Sequence, residues 1–267
     1  MKDTLVVPIS DMHSGGTTAL FPNRFLQFKH GNHTPVKQQK AMFKHWSFCA
    51  EKIAKERKGK KLIIVHDGDA IEGYHHNSHQ VVTMLEEEQI EIHVELMDFF
   101  LKAVGGADEL YYVTGTEVHT NDGESRIGED LDAVPNGDLF AYDELRITVN
   151  GQRLWFVHHG PTAGKGANRG NALRNWLKNI FYECLHEGMP PPHVIVTGHT
   201  HNPDWNNYVG RVDGSYHLVR GLICPSWQQK TRFAYKAAPL LTNKIGLQYF
   251  TITKDGLISD PVEWIMK

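Results

Sequence analysis

Short apolar runs and longer amphipathic stretches alternate along the first two-thirds of the chain. Runs typical of buried strands cover residues 4–9, 61–66, 110–114 and 194–197. Two further runs, 145–149 and 154–158, flank Asn150-Gly151, a dipeptide that strongly indicates a β-hairpin. Apolar residues at helical spacing predict helices over about 35–58, 84–104 and 169–187.

This order of elements predicts an α/β protein with a sheet-on-sheet core covered by helices. Residues 14–34 and 225–243 depart from the pattern, and we interpret them as insertions in one domain that spans residues 1–267. The predicted helix over 84–104 has an inner stripe of Ile90, Val94, Met97, Leu101 and Val104. Its glutamates lie on the other side and indicate a solvated face rather than a metal site.

Bulk composition narrows the class of protein. The formal net charge of −3 argues against a surface devoted to nucleic acid or to an anionic membrane, although a local basic groove is compatible with it. No apolar run approaches the roughly 20 residues of a membrane span, and the N-terminus lacks a signal-peptide pattern. Three widely spaced cysteines form neither a disulfide framework nor a CxxC motif. We expect a cytoplasmic protein with no membrane partner, and its oligomeric state stays open.

Potential metal ligands follow five of the predicted strands. They are Asp11 and His13, then Asp69, then Glu117 and His119, then His158, and finally His199 and His201. The carboxyl ends of successive strands meet at one edge of a sheet, where such folds place their sites. A lone Asp after a strand is usually a turn residue, and a lone His is usually a surface residue. Five strand ends that carry such residues favour a shared metal site.

The ligand types indicate which ions this site would take. Nitrogen and oxygen donors without thiolates suit Mn²⁺, Fe or Zn²⁺, and we expect two divalent ions with Mn²⁺ as the first choice. Asp69 is short and anionic enough to bridge them. Two such ions can bind a nucleophilic hydroxide and the oxygens of a phosphoryl group.

Five short motifs carry a family resemblance. They are Asp11-Met12-His13, Gly68-Asp69, Gly115…His119, His158-His159-Gly160 and Gly198-His199-Thr200-His201. Their order over about residues 4–202 resembles the five motifs of calcineurin-like metallophosphoesterases. The resemblance implies a four-layer αββα sandwich, in which two mixed β-sheets are flanked by helices, and a dinuclear metal site.

The resemblance also implies a role for each ligand. Asp11, His13 and His201 would hold one ion, Asp69 would bridge, and His158 and His199 would belong to the second ion. The choice between His158 and His159 stays open, with His158 preferred because it follows the apolar residues Trp155-Phe156-Val157 directly.

The third motif departs from the family pattern of Gly-Asn-His followed by Asp or Glu. Here the run is Gly115-Thr116-Glu117-Val118-His119, which lacks the Asn ligand and is two residues longer. We predict that Glu117 supplies an oxygen to the second ion in its place. His119 is predicted to donate a proton to the leaving oxygen as general acid, with Asp122 as its nearest acidic neighbour.

The implied activity is that of a metal-dependent phosphoric ester hydrolase acting through a metal-bound hydroxide. Phosphatase, phosphodiesterase and nuclease activities stay open, and so does a nucleotide or nucleic acid as the substrate. The altered third motif motivates an alternative, a non-catalytic binding module that keeps the fold.

Three residues are candidates for contact with substrate. Lys165 and Arg169 follow the His158-His159-Gly160 turn and could bind phosphate, although solvated loop charges are the commoner case. His76 lies just past Gly68-Asp69 and is a candidate for the rim of the pocket. The segments 14–34 and 225–243 mix aromatic and basic residues, which suits nucleotide or single-stranded nucleic-acid contact as well as ordinary packing.

Overall fold

The structure is a computed structural model that describes residues 1–74, 80–120, 122–237 and 243–266. The strands are β1 Thr4–Ile9, β2 Leu26–Phe28, β3 Gly31–His33, β4 Lys61–Asp67, β5 Glu109–Val113, β6 Leu145–Val149, β7 Gln152–Phe156, β8 Val194–Thr197, β9 Asp204–Val212, β10 Ser215–Ile223, β11 Gly246–Ile252 and β12 Val262–Ile265. The helices are α1 Lys37–Glu56, α2 Glu86–Val104, α3 Glu117–Thr120, α4 Gly123–Asp130, α5 Asn171–His186 and α6 Arg232–Ala237.

Ten of these strands form two mixed sheets of five. The first sheet has the order β12-β11-β1-β4-β5, with β1, β4 and β5 parallel and β11 antiparallel to β1. The second sheet has the order β6-β7-β8-β10-β9, with β7, β8 and β10 parallel and its two edge strands antiparallel. The parallel strands of each sheet end at a common edge, which places their C-terminal loops side by side.

Alternate residues of the strands face different layers, because successive side chains of a strand point to opposite faces. Leu5 and Val7 of β1 pack against α1 and α2, in a core that includes Trp46 and Phe100. Val6 packs between the two sheets against residues such as Phe156 of β7. On the outer face of the second sheet, Ile195 packs against Phe181 and other residues of α5. The molecule therefore has four layers, helices–sheet–sheet–helix, and the predicted αββα sandwich is confirmed.

The predicted strands and helices lie close to the observed ones in sequence, with two differences. The run over 154–158 is a strand only as far as Phe156, so that His158 lies in the loop beyond β7. The inner face of α2 is rotated from the predicted stripe: Gln89, Ile92 and His93 are buried, whereas Val94 and Leu101 are only partly buried. The polar residues on this face bond to loops of the site, which apolar periodicity alone does not predict.

The segment 14–34 is largely irregular and contains the small antiparallel pair of β2 and β3. The segment packs against the sandwich. Its Leu20 and Phe21 are fully buried and belong to the same core as the inner residues of α1. Within the described part of the chain, every helix is too short or too polar to cross a bilayer.

Candidate metal centre

The predicted ligands converge at the edge where the parallel strands of both sheets end. Asp11 and His13 follow β1, Asp69 follows β4, and His119 lies in α3 beyond β5. From the second sheet, His158 follows β7, and His199 and His201 follow β8. Asp11, His13, Asp69 and His158 are almost completely buried, although aspartate usually lies at the surface.

The backbone of this edge is unusual. Asp11, His13, Asp69, His199 and His201 all have positive φ angles, between 45° and 66°. A left-handed backbone is costly for a residue with a side chain, so such residues cluster where the surrounding structure enforces them. Backbone bonds do this here: Asp11 N donates to Gly68 O at 3.1 Å, and His13 N donates to Asp69 O at 2.9 Å. The loops after β1 and β4 therefore hold each other in place.

One half of the site brings together Asp11, His13 and His201. His201 Nε2 lies 3.0 Å from Asp11 Oδ1 and 3.2 Å from His13 Nε2, and His13 Nε2 lies 3.9 Å from Asp11 Oδ1. The Asp11 carboxylate also accepts hydrogen bonds from Ser10 Oγ at 2.5 Å and from the backbone N–H of His199. These bonds fix the plane of the carboxylate relative to the two imidazoles.

The other half is joined to the first by Asp69. Asp69 Oδ2 lies 3.0 Å from His158 Nε2 and 3.7 Å from His13 Nε2. His158 Nε2 lies 4.0 Å from Asp11 Oδ1, and the His158 and His199 rings are 5.4 Å apart. His158 Nδ1 donates to the Asp67 carbonyl at 2.6 Å, which leaves Nε2 facing the carboxylates. A backbone contact that fixes one ring nitrogen in this way is common for metal-binding histidines.

Among the described residues, four overlapping groups have potential ligand atoms within 4.8 Å of one another. They are Asp11, His13 and His201; His13, Asp69 and His119; Asp11, Asp69 and His158; and His158, His159 and His199. Asp11, His13, Asp69 and His158 each belong to two of these groups, so that the eight residues form one continuous cluster.

The charges of the buried groups balance one another. Burial disfavours a charged Asp11, but contact with His201 and the charge of His158 lower its pKa to about 2. Burial likewise opposes a charged His13, yet Glu72, Asp69 and Asp11 raise its pKa to about 9. His158 is buried too, and Asp69 and Asp11 raise its pKa to about 10. Protonated imidazoles therefore supply positive charge to these carboxylates, as divalent ions would.

The residues fit a pair of divalent ions by the chemistry of their donors. His158 Nε2 is buried and makes no well-aligned hydrogen bond to any described residue, although it faces Asp69 Oδ2. Buried polar atoms are normally hydrogen-bonded, and an exception requires an explanation such as an ion. Imidazole nitrogens and carboxylate oxygens without a thiolate suit Mn²⁺, Fe or Zn²⁺.

In the third motif, Thr116 rather than the expected Glu117 contacts the other site residues. The Thr116 backbone N–H donates to Asp69 Oδ1 at 2.6 Å, and Thr116 Oγ1 lies 3.3 Å from Asp69 Oδ2 and 3.4 Å from His199 Nδ1. Glu117 is exposed at the start of α3 and belongs to none of the four groups found in the described part of the chain. Its role as a ligand stays a prediction, and the hydroxyl of Thr116 is the third-motif oxygen that the structure brings to the site.

His119 reaches the site from α3. Its Nδ1 donates to the Glu72 carbonyl at 2.7 Å, and its ring packs edge-on against His13 with centroids 4.9 Å apart. Burial and the nearby charge of His13 lower the pKa of His119. Asp122 is exposed before α4, so that Glu72 is the acidic residue whose backbone orients His119.

Sequence reasoning missed the part that Glu72 plays. Its Oε2 lies 3.2 Å from His13 Nδ1, on the side of the ring away from the other ligands, and it accepts a hydrogen bond from Gln228 Nε2. Burial raises the pKa of Glu72, but contact with His13 outweighs it and the net shift is downward. The signal available in the sequence was an acidic residue three positions after Asp69. Its contact with His13 depends on tertiary structure.

The candidate substrate-binding residues have different surroundings. Arg169 Nη2 donates to the Pro203 carbonyl at 2.6 Å, and its Nε lies 3.6 Å from Asp204 Oδ2, so that it braces the loop after His201. Lys165 is exposed. Contact of either residue with substrate stays a prediction. His76 lies outside the described residues.

Comparison with known proteins gives likeness only to solved structures, because no family model and no curated protein matches the chain. A conserved uncharacterized protein from Streptococcus pneumoniae TIGR4, described as a predicted phosphoesterase, is 11% identical over 100% of this chain and 99% of its own, with a TM-score of 0.34. A metallophosphoesterase from Sphaerobacter thermophilus is 11% identical over 98% and 88%, also with a TM-score of 0.34. A 5'-nucleotidase from Candida albicans SC5314 is 13% identical over 98% of this chain and 52% of its own, with a TM-score of 0.43.

Proposed function

We propose that this protein is a metal-dependent phosphoesterase with two divalent ions at the C-terminal edge of the parallel strands. The observation that carries the proposal is the cluster of four overlapping ligand groups, in which Asp69 Oδ2 faces both His13 and His158. A structural zinc site needs four ligands, whereas this edge gathers eight residues with potential ligand atoms. The position of the Asp69 carboxylate, with Oδ2 at 3.7 Å from His13 Nε2 and 3.0 Å from His158 Nε2, favours two adjacent ions over one.

We assign Asp11, His13 and His201 to the first ion, Asp69 to both, and His158 and His199 to the second. His158 rather than His159 is favoured because it is buried with Nε2 at 3.0 Å from Asp69, whereas His159 is exposed. Thr116 Oγ1 and His159 Nε2 lie 3.3 Å apart on the open side of the second position.

When bound, two such ions would lower the pKa of water and polarise the oxygens of a phosphate ester. Asp69 would hold both ions and Asp11 the first, and both carboxylates are immobilised by backbone N–H donors. His119, when protonated on both ring nitrogens, would donate its Nε2 proton to the leaving oxygen and keep its Nδ1 proton bonded to the Glu72 carbonyl. The reaction is the hydrolysis of a phosphomonoester or phosphodiester, with nucleotides and nucleic acids among the candidate substrates.

The test compares three substrates after loading with Mn²⁺: p-nitrophenyl phosphate, bis-p-nitrophenyl phosphate and labelled single-stranded DNA. Turnover of at least one is expected, and it should disappear on chelation and return with metal. Asp213→Asn is the matched control for an Asp69→Asn variant, since both aspartates have a left-handed backbone and Asp213 lies in the turn between β9 and β10. Two bound ions without turnover of any substrate would favour the non-catalytic binding module. Absence of bound metal would overturn the proposal.

A further inference from the structure

The connection between β10 and β11, described at residues 224–237 and 243–245, packs against the first metal position. Trp227 N donates to the Asp11 carbonyl at 3.0 Å, and Lys244 N donates to the His201 carbonyl at 2.9 Å. Gln228 Nε2 donates to Glu72, whose carboxylate contacts His13. All three residues assigned to the first ion are therefore held by this one connection, which lies more than 200 residues after Asp11 in sequence.

Asn243 makes the most direct of these contacts. Its Nδ2 lies 2.9 Å from His201 Nδ1 and also donates to the Gln228 carbonyl at 3.0 Å. With Nδ2 as the donor, His201 Nδ1 is the acceptor and the ring proton is on Nε2. That nitrogen lies 3.0 Å from Asp11 Oδ1, to which it donates. By contrast, a protonated His13, whose Nε2 lies 3.2 Å from His201 Nε2, favours the His201 tautomer with its proton on Nδ1. In this orientation of the amide, Asn243 and Asp11 together favour the tautomer with its proton on Nε2.

A metal ion bound through His201 Nε2 needs the opposite tautomer. A metal takes the lone pair of an unprotonated nitrogen, and the ring proton then belongs on Nδ1, where it needs an acceptor. A half-turn of the Asn243 amide would present Oδ1 to that proton. The half-turn would exchange the bond to the Gln228 carbonyl for an oxygen facing it, so the Asn243 side chain would also have to shift away from that carbonyl. The Gln228 carbonyl would keep its hydrogen bond from Ser226 Oγ at 3.0 Å.

We propose that Asn243 is a positioning residue for the first metal ion, with its side-chain oxygen accepting the Nδ1 proton of His201 in the metal-bound state. This inference rests on the proposed function, since it takes His201 as a ligand. Contacts of this kind orient a ligating imidazole and raise its basicity, and their loss typically costs about 10–100-fold in metal affinity.

Three variants test the acceptor role by titration calorimetry with Mn²⁺ on the metal-free chain. Asn243→Ala should weaken one of the two ions about 10–100-fold and leave the other unchanged. Asn243→Asp should restore binding to within a few-fold of the parent, because a carboxylate can accept the proton but cannot donate. Asn206→Ala is the matched control, as another half-buried asparagine whose Nδ2 donates to a backbone carbonyl, that of Gly170. It should bind both ions normally.

The outcomes separate this inference from the proposed function. Unaltered binding in Asn243→Ala, or equal weakening in the Ala and Asp variants, would overturn the role of Asn243 while leaving the phosphoesterase proposal intact. Two-ion binding in the parent without hydrolysis would overturn the proposed activity and still allow the role of Asn243 to be measured. A parent chain that binds no Mn²⁺ would overturn both. Thermal unfolding of the metal-free variants shows whether each is folded.

Discussion

The two ends of the sandwich use the same backbone conformation for different purposes. At the far end, Asn150 and Asp213 have left-handed backbones in tight turns, and each is followed by a glycine. The Asn150 amide donates to the carbonyls of Lys2 at 2.9 Å and Thr253 at 3.0 Å, which ties both sheets together. There the conformation closes turns and its polar groups are bonded within the protein.

At the site end, the left-handed residues Asp11, His13 and Asp69 are buried beside other polar groups whose interactions are incomplete. Both carboxylate oxygens of Asp67 lack a hydrogen-bond partner among the described residues, and burial raises the pKa of this group to about 8. The Asp69 and His158 side chains face each other at 3.0 Å and are almost completely buried. The difference indicates that the far end is built for stability and that the site end is built to hold a ligand.

The largest expected effect comes from a substitution at the site end, and the same substitution at the far end serves as its control. Asp69→Asn removes the central negative charge shared by both halves of the site. We expect at least one ion to be lost and kcat/KM to fall by about 10³-fold or more, or about 4 kcal/mol of transition-state stabilisation. Metal content by mass spectrometry and hydrolysis of the best substrate measure this. Asp213→Asn should retain two ions, and an Asp69→Asn variant that behaves like it would refute the shared-ligand assignment.

Proton release on metal binding gives the next effect. His13 and His158, with pKa values raised to about 9 and about 10, carry protons at pH 7 in the metal-free chain. Metals bind the unprotonated ring, so binding displaces these protons, and each adds about 10-fold to the affinity per pH unit between pH 6 and 8. Calorimetry in buffers of different ionisation enthalpy should report release of about two protons. Metal binding that is independent of pH would contradict the assignment of both histidines.

Much of this arrangement was accessible from the sequence. Apolar runs predicted the strands, and polar residues at five strand ends predicted one set of site residues: Asp11, His13, Asp69, Glu117, His119, His158, His199 and His201. The structure brings all of these except Glu117 into the ligand groups found among the described residues. These inferences succeed because the parallel strands fix where the loops meet. Glu72, Thr116 and Asn243 were not predicted as parts of the site, because their contacts depend on side chains that approach from other loops. The inner face of α2 was misplaced because its buried Gln89 and His93 are polar.

Within the site, the neighbouring residues His158 and His159 allow a buried and an exposed side chain of the same type to be compared. His158 is buried against Asp69, whereas His159 is exposed beside Thr116. His158→Ala should weaken the second ion by about 100-fold, and His159→Ala should change it by less than about 10-fold. Mn²⁺ titration of the two variants measures the affinities. Equal losses would show that both rings bind the ion, and the reverse order would make His159 the ligand.

The smallest expected effect concerns stability. His199 is exposed and has a left-handed backbone, with φ of 66°. His199→Gly should relieve that strain and stabilise the metal-free chain by about 1 kcal/mol while weakening the second ion. Asp213→Gly should give a similar gain at the far end with no change in metal binding. Urea unfolding in the presence of a chelator measures both. A less stable His199→Gly variant would show that the site end carries no such strain.

The central claim is that two ions bind on either side of Asp69. Anomalous diffraction from a crystal grown with Mn²⁺ and soaked in phosphate tests it most directly, and also shows whether Glu117 is a ligand. The account predicts two anomalous peaks, one among Asp11, His13 and His201 and one beside His158 and His199, with the Asp69 carboxylate between them and phosphate across both. A single peak, or peaks away from Asp69, would contradict it.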